Sequence, residues 1–109
     1  MNLRRLRQIL KVLGDDTRLR IINVLNRREL TVKDICNILK INQPAISKHL
    51  FRLRLLKIVL DRREGNFMYY RLNTDSDEGE IVKFILSRFS EVKTFLVDRA
   101  YIKKRPKNK

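Results

Sequence analysis

Apolar residues recur along this chain in two different periods, and the order of those periods suggests a fold. Leu3, Leu6, Leu10 and Leu13, with Ile9 beside them, are spaced as one helical face over residues 2–13, and Gly14 ends the run. Asp15, Asp16 and Thr17 then offer capping groups to a second helix whose stripe is Leu19, Ile22 and Leu25, with Ile21. After a polar break at 26–28, Thr31 and Asp34 are spaced as a capping box, with Asp in place of the usual Glu or Gln. They predict a helix over roughly 32–40 that buries Val32, Ile35 and Leu39. A polar turn at Asn42 and Gln43 leads to Pro44 and a fourth helix, NQPAISKHLFRLRLL over 42–56. At ~100° per residue its Ile46, Leu50 and Leu53 point together into a core. Two short helices joined by so tight a turn read as a helix-turn-helix.

After Leu56 the period changes. Ile58, Val59 and Leu60 read as a strand, residues 61–66 as a polar stretch with a Gly-Asn turn, and Phe67 to Leu72 as a second strand. A hairpin placed there is a wing. An acidic turn, NTDSDEG, follows. Ile81, Ile85, Phe89, Val92 and Leu96, flanked by Phe84, Leu86 and Phe95, then predict one long apolar helix to about Tyr101. The expected fold is mostly α with a β-hairpin wing, in the order α-α-α-α-β-β-α. It forms one domain over 1–102, with a basic tail, KKRPKNK at 103–109, expected to be disordered.

Charge adds what periodicity does not. The 26 Lys and Arg residues outnumber 12 Asp and Glu, a formal +14 over 109 residues. Such an excess calls for a polyanionic partner, double-stranded DNA first and an anionic membrane second. A charged surface of the thermophilic kind would balance its signs. No apolar run is long enough to span a bilayer, and the basic, interrupted N-terminus is not a secretory signal, so no membrane role and a cytoplasmic location are expected. The single Cys36 excludes an intrachain disulfide. Nothing supports an enzyme: there is no phosphate-binding glycine loop, no Ser/His/Asp set and no metal-ligand cluster. Asp75, Asp77, Glu78 and Glu80 are accounted for by a helix dipole.

On the fourth helix Gln43, Ser47 and Arg54 lie to one side of the buried stripe, and Lys48 and Arg52 lie further round. Glutamine can pair bidentately with adenine, and serine can bond a base or a phosphate. Lys48 and Arg52 suit phosphates. His49 flanks the apolar face, where a bond to local backbone or to phosphate is favoured over base reading. Arg62, Arg63 and Asn66 sit at or near the hairpin tip, within reach of a minor groove or flanking phosphates; the competing reading is a solvated loop. Phe51 and Leu55 point away from the core stripe, toward the first helix, a partner subunit or solvent.

The segments LGDDTRLRIINVL, ELTVKDIC, ISKHLFRL and REGNFMYYRL together resemble the ArsR/SmtB family of small winged-helix repressors over roughly residues 6–73. The resemblance implies a homodimer pairing through the first and last helices, an inverted-repeat operator, and release of DNA when an effector binds. It makes Leu3, Leu6, Leu10, Ile85, Phe89 and Val92 dimer-interface candidates; the alternative for each is intrachain core. The sequence also departs from the family. Where many metal sensors carry an ELCVCDL-like segment, Thr31 and Lys33 replace the two cysteines, and neither can supply a thiolate. The last helix has no histidine, and Cys36 has no partner cysteine and is expected to be a small buried hydrophobe. No metal or cofactor is therefore expected, and the effector is left unnamed. Lys57 stands where the family has a glycine after the recognition helix, so that helix end is expected to close differently, by fraying or a shifted boundary. The expected function is a sequence-specific DNA-binding transcription regulator, a repressor. The alternatives are a constitutive or architectural DNA binder without an effector, and a protein-interaction winged helix.

Overall fold

A computed structural model describes residues 1–104, and side chains through residue 102. The chain runs α1 (Leu3–Leu13), α2 (Asp16–Leu25), β1 (Leu30–Thr31), α3 (Val32–Leu39), α4 (Gln43–Leu55), β2 (Val59–Glu64), β3 (Phe67–Leu72), α5 (Asp77–Arg88) and α6 (Lys93–Lys104). Five of the helix starts carry a side-chain cap. Asn2 Oδ1 accepts from the Arg5 N–H at 2.8 Å, Asp15 Oδ2 from Arg18 at 3.0 Å, and Asn42 Oδ1 from Ala45 at 3.0 Å. Ser76 Oγ accepts from Gly79 at 3.0 Å. The Thr31–Asp34 box is closed in both directions, at 3.1 and 3.2 Å, so aspartate serves in the third position. Each such cap is worth about 1 kcal/mol.

The recognition-helix end closes with no shift of boundary and no fraying, contrary to the expectation from the missing glycine. Lys57 itself takes the left-handed conformation, φ 58°. Its N–H donates to Arg54 O at 2.9 Å and the Ile58 N–H to Leu53 O at 3.0 Å, the paired bonds of a Schellman motif. Ile58 and Leu53, the apolar pair that accompanies the motif, are both fully buried.

Three further elements differ from the sequence reading. A short strand, β1, pairs with β3 (Leu30 with Tyr70, Thr31 with Tyr69), so the sheet is three-stranded in the order β1-β3-β2 and antiparallel. The second strand begins at Val59 and runs through Glu64, so the polar residues 61–64 are strand rather than loop. Glu64 pairs with Phe67 across a two-residue turn whose first residue, Gly65, has φ +61°, the pattern of a II′ turn. The long last helix is two helices. It breaks at 89–92, where Val92 N–H reaches Phe89 O at 3.2 Å, and α6 turns back onto α2.

Polar groups on the buried side of α6 explain that turn. Asp98, 2% exposed, accepts from Arg20 Nε and Nη2 at 2.9 and 3.0 Å. Asn23 donates to Phe95 O at 3.2 Å, and Arg99 bonds both Asn23 Oδ1, at 3.1 Å, and Ser90 O in the break, at 2.9 Å. Phe95 and Ile102 join the core beside them. Its centre is Ile9, Ile21, Ile22, Ile35, Ile46 and Leu53. Arg5 fixes α1 by donating to Leu56 O at 2.8 Å and to Glu78 Oε2 at 3.1 Å. Gly79 lets the start of α5 pass the preceding loop, because a Cβ there would stand 1.8 Å from Asn73 O. The α6 helix continues past the expected domain edge at 102 to Lys104; the remainder of the expected basic tail, 105–109, lies outside the described residues.

Candidate nucleic-acid interface

The turn between α3 and α4 is three residues long. Lys40 closes α3 in the left-handed conformation, φ 61°, its N–H on Cys36 O at 2.8 Å; Ile41 follows, and Asn42 caps α4. Pro44 in the first turn of α4 costs no hydrogen bond, since an N–H there has no intrahelical acceptor. Ile46, Leu50 and Leu53 are buried, which anchors the helix along its inner face. The side chains of Gln43, Ser47, Lys48 and Arg52 are exposed and make no hydrogen bond or ion pair with the rest of the described chain. Gln43 and Ser47 lie one turn apart, as do Lys48 and Arg52, so a rigid rod presents two adjacent free polar rows. Arg54, read beside Gln43 and Ser47, instead pairs with Asp61 of β2 at 3.2 Å and braces the wing on α4.

His49 is half-buried and turned toward the α1–α2 junction. Arg18 Nη1 lies 3.1 Å from His49 Nδ1, and a guanidinium has no acceptor, so Nδ1 accepts and the ring is neutral with its proton on Nε2. Arg18 is held in turn by Val12 O at 2.5 Å, while its N–H caps onto Asp15. Burial holds the imidazole pKa below its ordinary value; Asp15, 3.9 Å away, opposes this, and the cations Arg18, Arg52 and Lys48 add to it. The partner of His49 Nδ1 is thus the Arg18 side chain rather than local backbone. Nε2–H is left to donate.

The wing splits the three residues assigned to it. Arg62 lies within β2, opposite Tyr69, and not at the tip. Its guanidinium grips Glu29 through Nε at 3.0 Å and Nη2 at 2.8 Å, reaches Glu64 at 2.6 Å, and sits 4.8 Å over the Tyr69 ring. Glu29 and then Glu64 push its pKa still higher, and Arg62 holds Glu29 below the usual carboxylate range. Arg62 therefore clamps the wing to the segment before β1. The side chains of Arg63 and Asn66 are exposed and make no hydrogen bond or ion pair within the described chain. Sequence reasoning missed the Arg62–Glu29 clamp and the Arg18–His49 contact, which join residues 33 and 31 positions apart.

Of the residues read as dimer candidates, all but Ile85, which packs against the core, stand outside it. Leu3 is 80% exposed, Leu10 54% and Phe89 56%; Leu6 and Val92 are also exposed, and Ile85 is half-buried. Phe51 and Leu55 are exposed too. Thr31 spends its hydroxyl on the capping box, and Lys33 is an exposed cation. That pair does not fit a thiophilic ion, and among the described residues no cluster of three His, Cys, Asp or Glu could hold a metal. Cys36, expected to be buried, is half-buried, and burial raises its thiol pKa.

A helix-turn-helix set on a three-stranded sheet, with a hairpin following its second helix, defines a winged helix-turn-helix. Residues 15–60 match the bacterial regulatory protein, arsR family. The chain is 45% identical over 67 residues to the arsenical resistance operon repressor of Escherichia coli K12, covering 61% of this chain and 57% of that one. It is 38% identical over 66 residues to the transcriptional repressor SdpR of Bacillus subtilis, covering 61% and 73%. The chain thus spans little more than half the length of some of the arsenic-resistance regulators it matches. The transcriptional repressor BigR of Xylella fastidiosa superimposes with a TM-score of 0.74 at 28% identity, over 83% of this chain and 88% of that one. The homodimeric winged helix-turn-helix DNA-binding domain of Mb0332 from Mycobacterium bovis gives 0.71 at 26%, over 84% and 83%. This chain belongs to the ArsR family.

Among the described residues no helix is long and apolar enough to cross a membrane.

Proposed function

We propose that this protein is a sequence-specific DNA-binding transcription regulator that represses by occupying an inverted-repeat operator as a homodimer in the cytoplasm. The observation that carries the reading is the free polar face of α4. Gln43 and Ser47 are aimed outward by a helix whose opposite face is locked in the core, in a chain of formal charge +14. Gln43 reads adenine, Ser47 a base or phosphate, and Lys48, Arg52 and the Nε2–H of His49 hold phosphates. Arg63 and Asn66 touch the flanking groove, and Arg62 supports the wing from behind. Leu3, Leu6, Leu10, Ile85, Phe89 and Val92 pair with a second copy, supported by the exposure of Leu3, Leu6 and Leu10 on α1 and of Phe89 and Val92 at the α5–α6 break; Ile85 is half-buried beside them. The two α4 helices then enter successive major grooves about 34 Å apart.

Selection of bound duplexes from a random pool tests this: an inverted repeat with half-sites one helical turn apart is expected, and no enrichment over random sequence would count against it. With about eight phosphates neutralised per dimer, log K falls against log salt with a slope near −7. One observation favours a second reading, a constitutive or architectural binder: Thr31 and Lys33 leave no thiolate pair for an effector ion. Titrating metals, thiol oxidants and small metabolites onto the selected complex separates the two, since specific release by any of them removes the constitutive reading. A protein-interaction winged helix, with no DNA partner, predicts that Gln43→Ala with Ser47→Ala leaves function intact.

A further inference from the structure

The α2, α5 and α6 helices meet at a polar hollow of about 370 Å³, to which no residue of α3, α4, β2 or β3 contributes. It stands apart from the helix that reads bases. Its floor is Asn23, 3% exposed, which donates to Phe95 O at 3.2 Å and accepts from Arg99 Nη1 at 3.1 Å. Arg99 is half-buried, and its Nη2 donates to Ser90 O at 2.9 Å. Both of its partners are neutral oxygens, and among the described residues no carboxylate pairs with it. A guanidinium drawn partly out of water gains from a counter-charge, and the chain supplies none. Arg27 and Lys83 line the same hollow, exposed, with side chains that make no hydrogen bond or ion pair within the described chain. Glu91 is the one carboxylate in the lining among the described residues. The ends of α2 and α5 add about half a negative charge each, and the start of α6 about half a positive one. Three cations outweigh all of these, so the hollow keeps a positive excess. Its volume lies within the range of small-molecule sites, roughly 300–1,000 Å³.

We propose that this hollow is an effector site for a small organic anion carrying two or more negative charges, phosphorylated or polycarboxylate. Arg99 meets one anionic group at the floor, and Arg27 and Lys83 meet another at the rim. Such a ligand bridges α2, α5 and α6. Arg99 already ties α6 to the α5–α6 break through Ser90 O, and Phe89 and Val92 of that break are the exposed residues assigned to a second copy. Occupancy therefore biases the angle at which two subunits meet, and with it the spacing of the two α4 helices. The regulatory half rests on the dimeric, DNA-reading role proposed above; the binding does not.

Pyrophosphate and citrate are titrated calorimetrically into the full chain at a constant ionic strength of about 0.15 M, with acetate as the singly charged comparison. A saturable site, one per chain, is expected for at least one polyanion and not for acetate. The tighter of the two assigns the ligand to phosphorylated or to carboxylate compounds. No saturable binding of either overturns the proposal. Because any anion is drawn to a chain of formal charge +14, Arg27→Gln with Lys83→Gln is set against Arg7→Gln with Lys11→Gln, an equal charge loss on α1. All four residues are exposed and unpaired in the described chain, so neither variant disturbs the fold. Polyanion affinity falls roughly tenfold or more in the first variant and by less than about twofold in the second. Equal losses overturn the proposal in favour of general attraction. On the selected operator, a saturating polyanion changes the affinity of the parent by about 5-fold or more and leaves that of the first variant nearly unchanged. Equal changes in both overturn the effector role. Duplex binding that is weaker in the first variant than in the second, with no polyanion present, marks the hollow as a DNA contact and overturns the proposal as well. Failure of the underlying reading looks different: no operator is then selected at all, while polyanion binding and its loss in the first variant persist.

Discussion

Asp98→Ala should uncouple α6 from the rest of the domain, and the structure sets the size of the effect. The Asp98 side chain is 3% exposed and takes both forks of Arg20, which is 25% exposed and also donates to Leu39 O at 3.2 Å. Removing one partner of a fully buried pair costs about 3–5 kcal/mol, because the other charge is left uncompensated. Arg20 keeps one acceptor and a quarter of its surface in water, so the expected loss is nearer 2–3 kcal/mol. Urea unfolding followed by circular dichroism measures it as a drop in midpoint at constant m. The double variant Arg20→Met with Asp98→Leu replaces the pair by apolar groups and should come back to within about 1 kcal/mol of the parent. A loss below about 1 kcal/mol for Asp98→Ala would refute the reasoning, because α6 would then not be held on α2 by this pair. A double variant as unstable as the single one would refute it as well.

Two further predictions concern stability. Lys57→Gly relieves a left-handed residue while keeping the Schellman bonds, and should raise stability by about 0.5–1 kcal/mol, read as a higher urea midpoint. His49 has a folded pKa below its ordinary value near 6.5, so its neutral-state contribution is present in full above that value and is lost as pH falls through the folded pKa. The lowered carboxylates Asp15, Glu29 and Glu78 titrate below this window and do not blur it. Unfolding at pH 7.5 and 5.5 should therefore show the parent losing more stability on acidification than His49→Gln; equal losses would contradict the Arg18–His49 geometry.

Helix starts were legible because each carries its own short-range signal: a capping side chain three residues from the N–H it satisfies, as in Thr31–Asp34 and Asn42–Ala45. The break at 89–92 was not, because the apolar period of Ile81, Ile85, Phe89, Val92 and Leu96 runs straight through it with no Gly or Pro. What folds α6 back is a set of partners on α2, Arg20 and Asn23, more than seventy positions away in sequence. The strand β1 escaped for the same reason: two residues show no period, and only their pairing with Tyr69 and Tyr70 makes them a strand. Of the candidate site, the outward face of α4 followed from helical geometry alone. Which of its neighbours are already occupied did not. Arg54, Arg62 and His49 are claimed by Asp61, Glu29 and Arg18 respectively, and such side-chain pairings between elements leave no periodic trace. Charge alone cannot separate Arg62, a clamp, from the adjacent Arg63, which is free. Lys57 showed in the sequence only as a missing glycine, which does not tell how the helix closes; the paired bonds to Arg54 O and Leu53 O, with Ile58 and Leu53 buried, close it.

The central claim is that α4 reads bases through Gln43 and Ser47 from a rigid mount. It is tested most directly by binding the parent and Gln43→Ala to the selected operator and to the same duplex with one contacted adenine replaced in each half-site. The account predicts that the parent loses about 1–3 kcal/mol per half-site on the altered duplex, whereas Gln43→Ala binds the two duplexes alike, with its salt slope unchanged. If Gln43→Ala discriminates the duplexes as the parent does, α4 is not the reading element and the account is wrong.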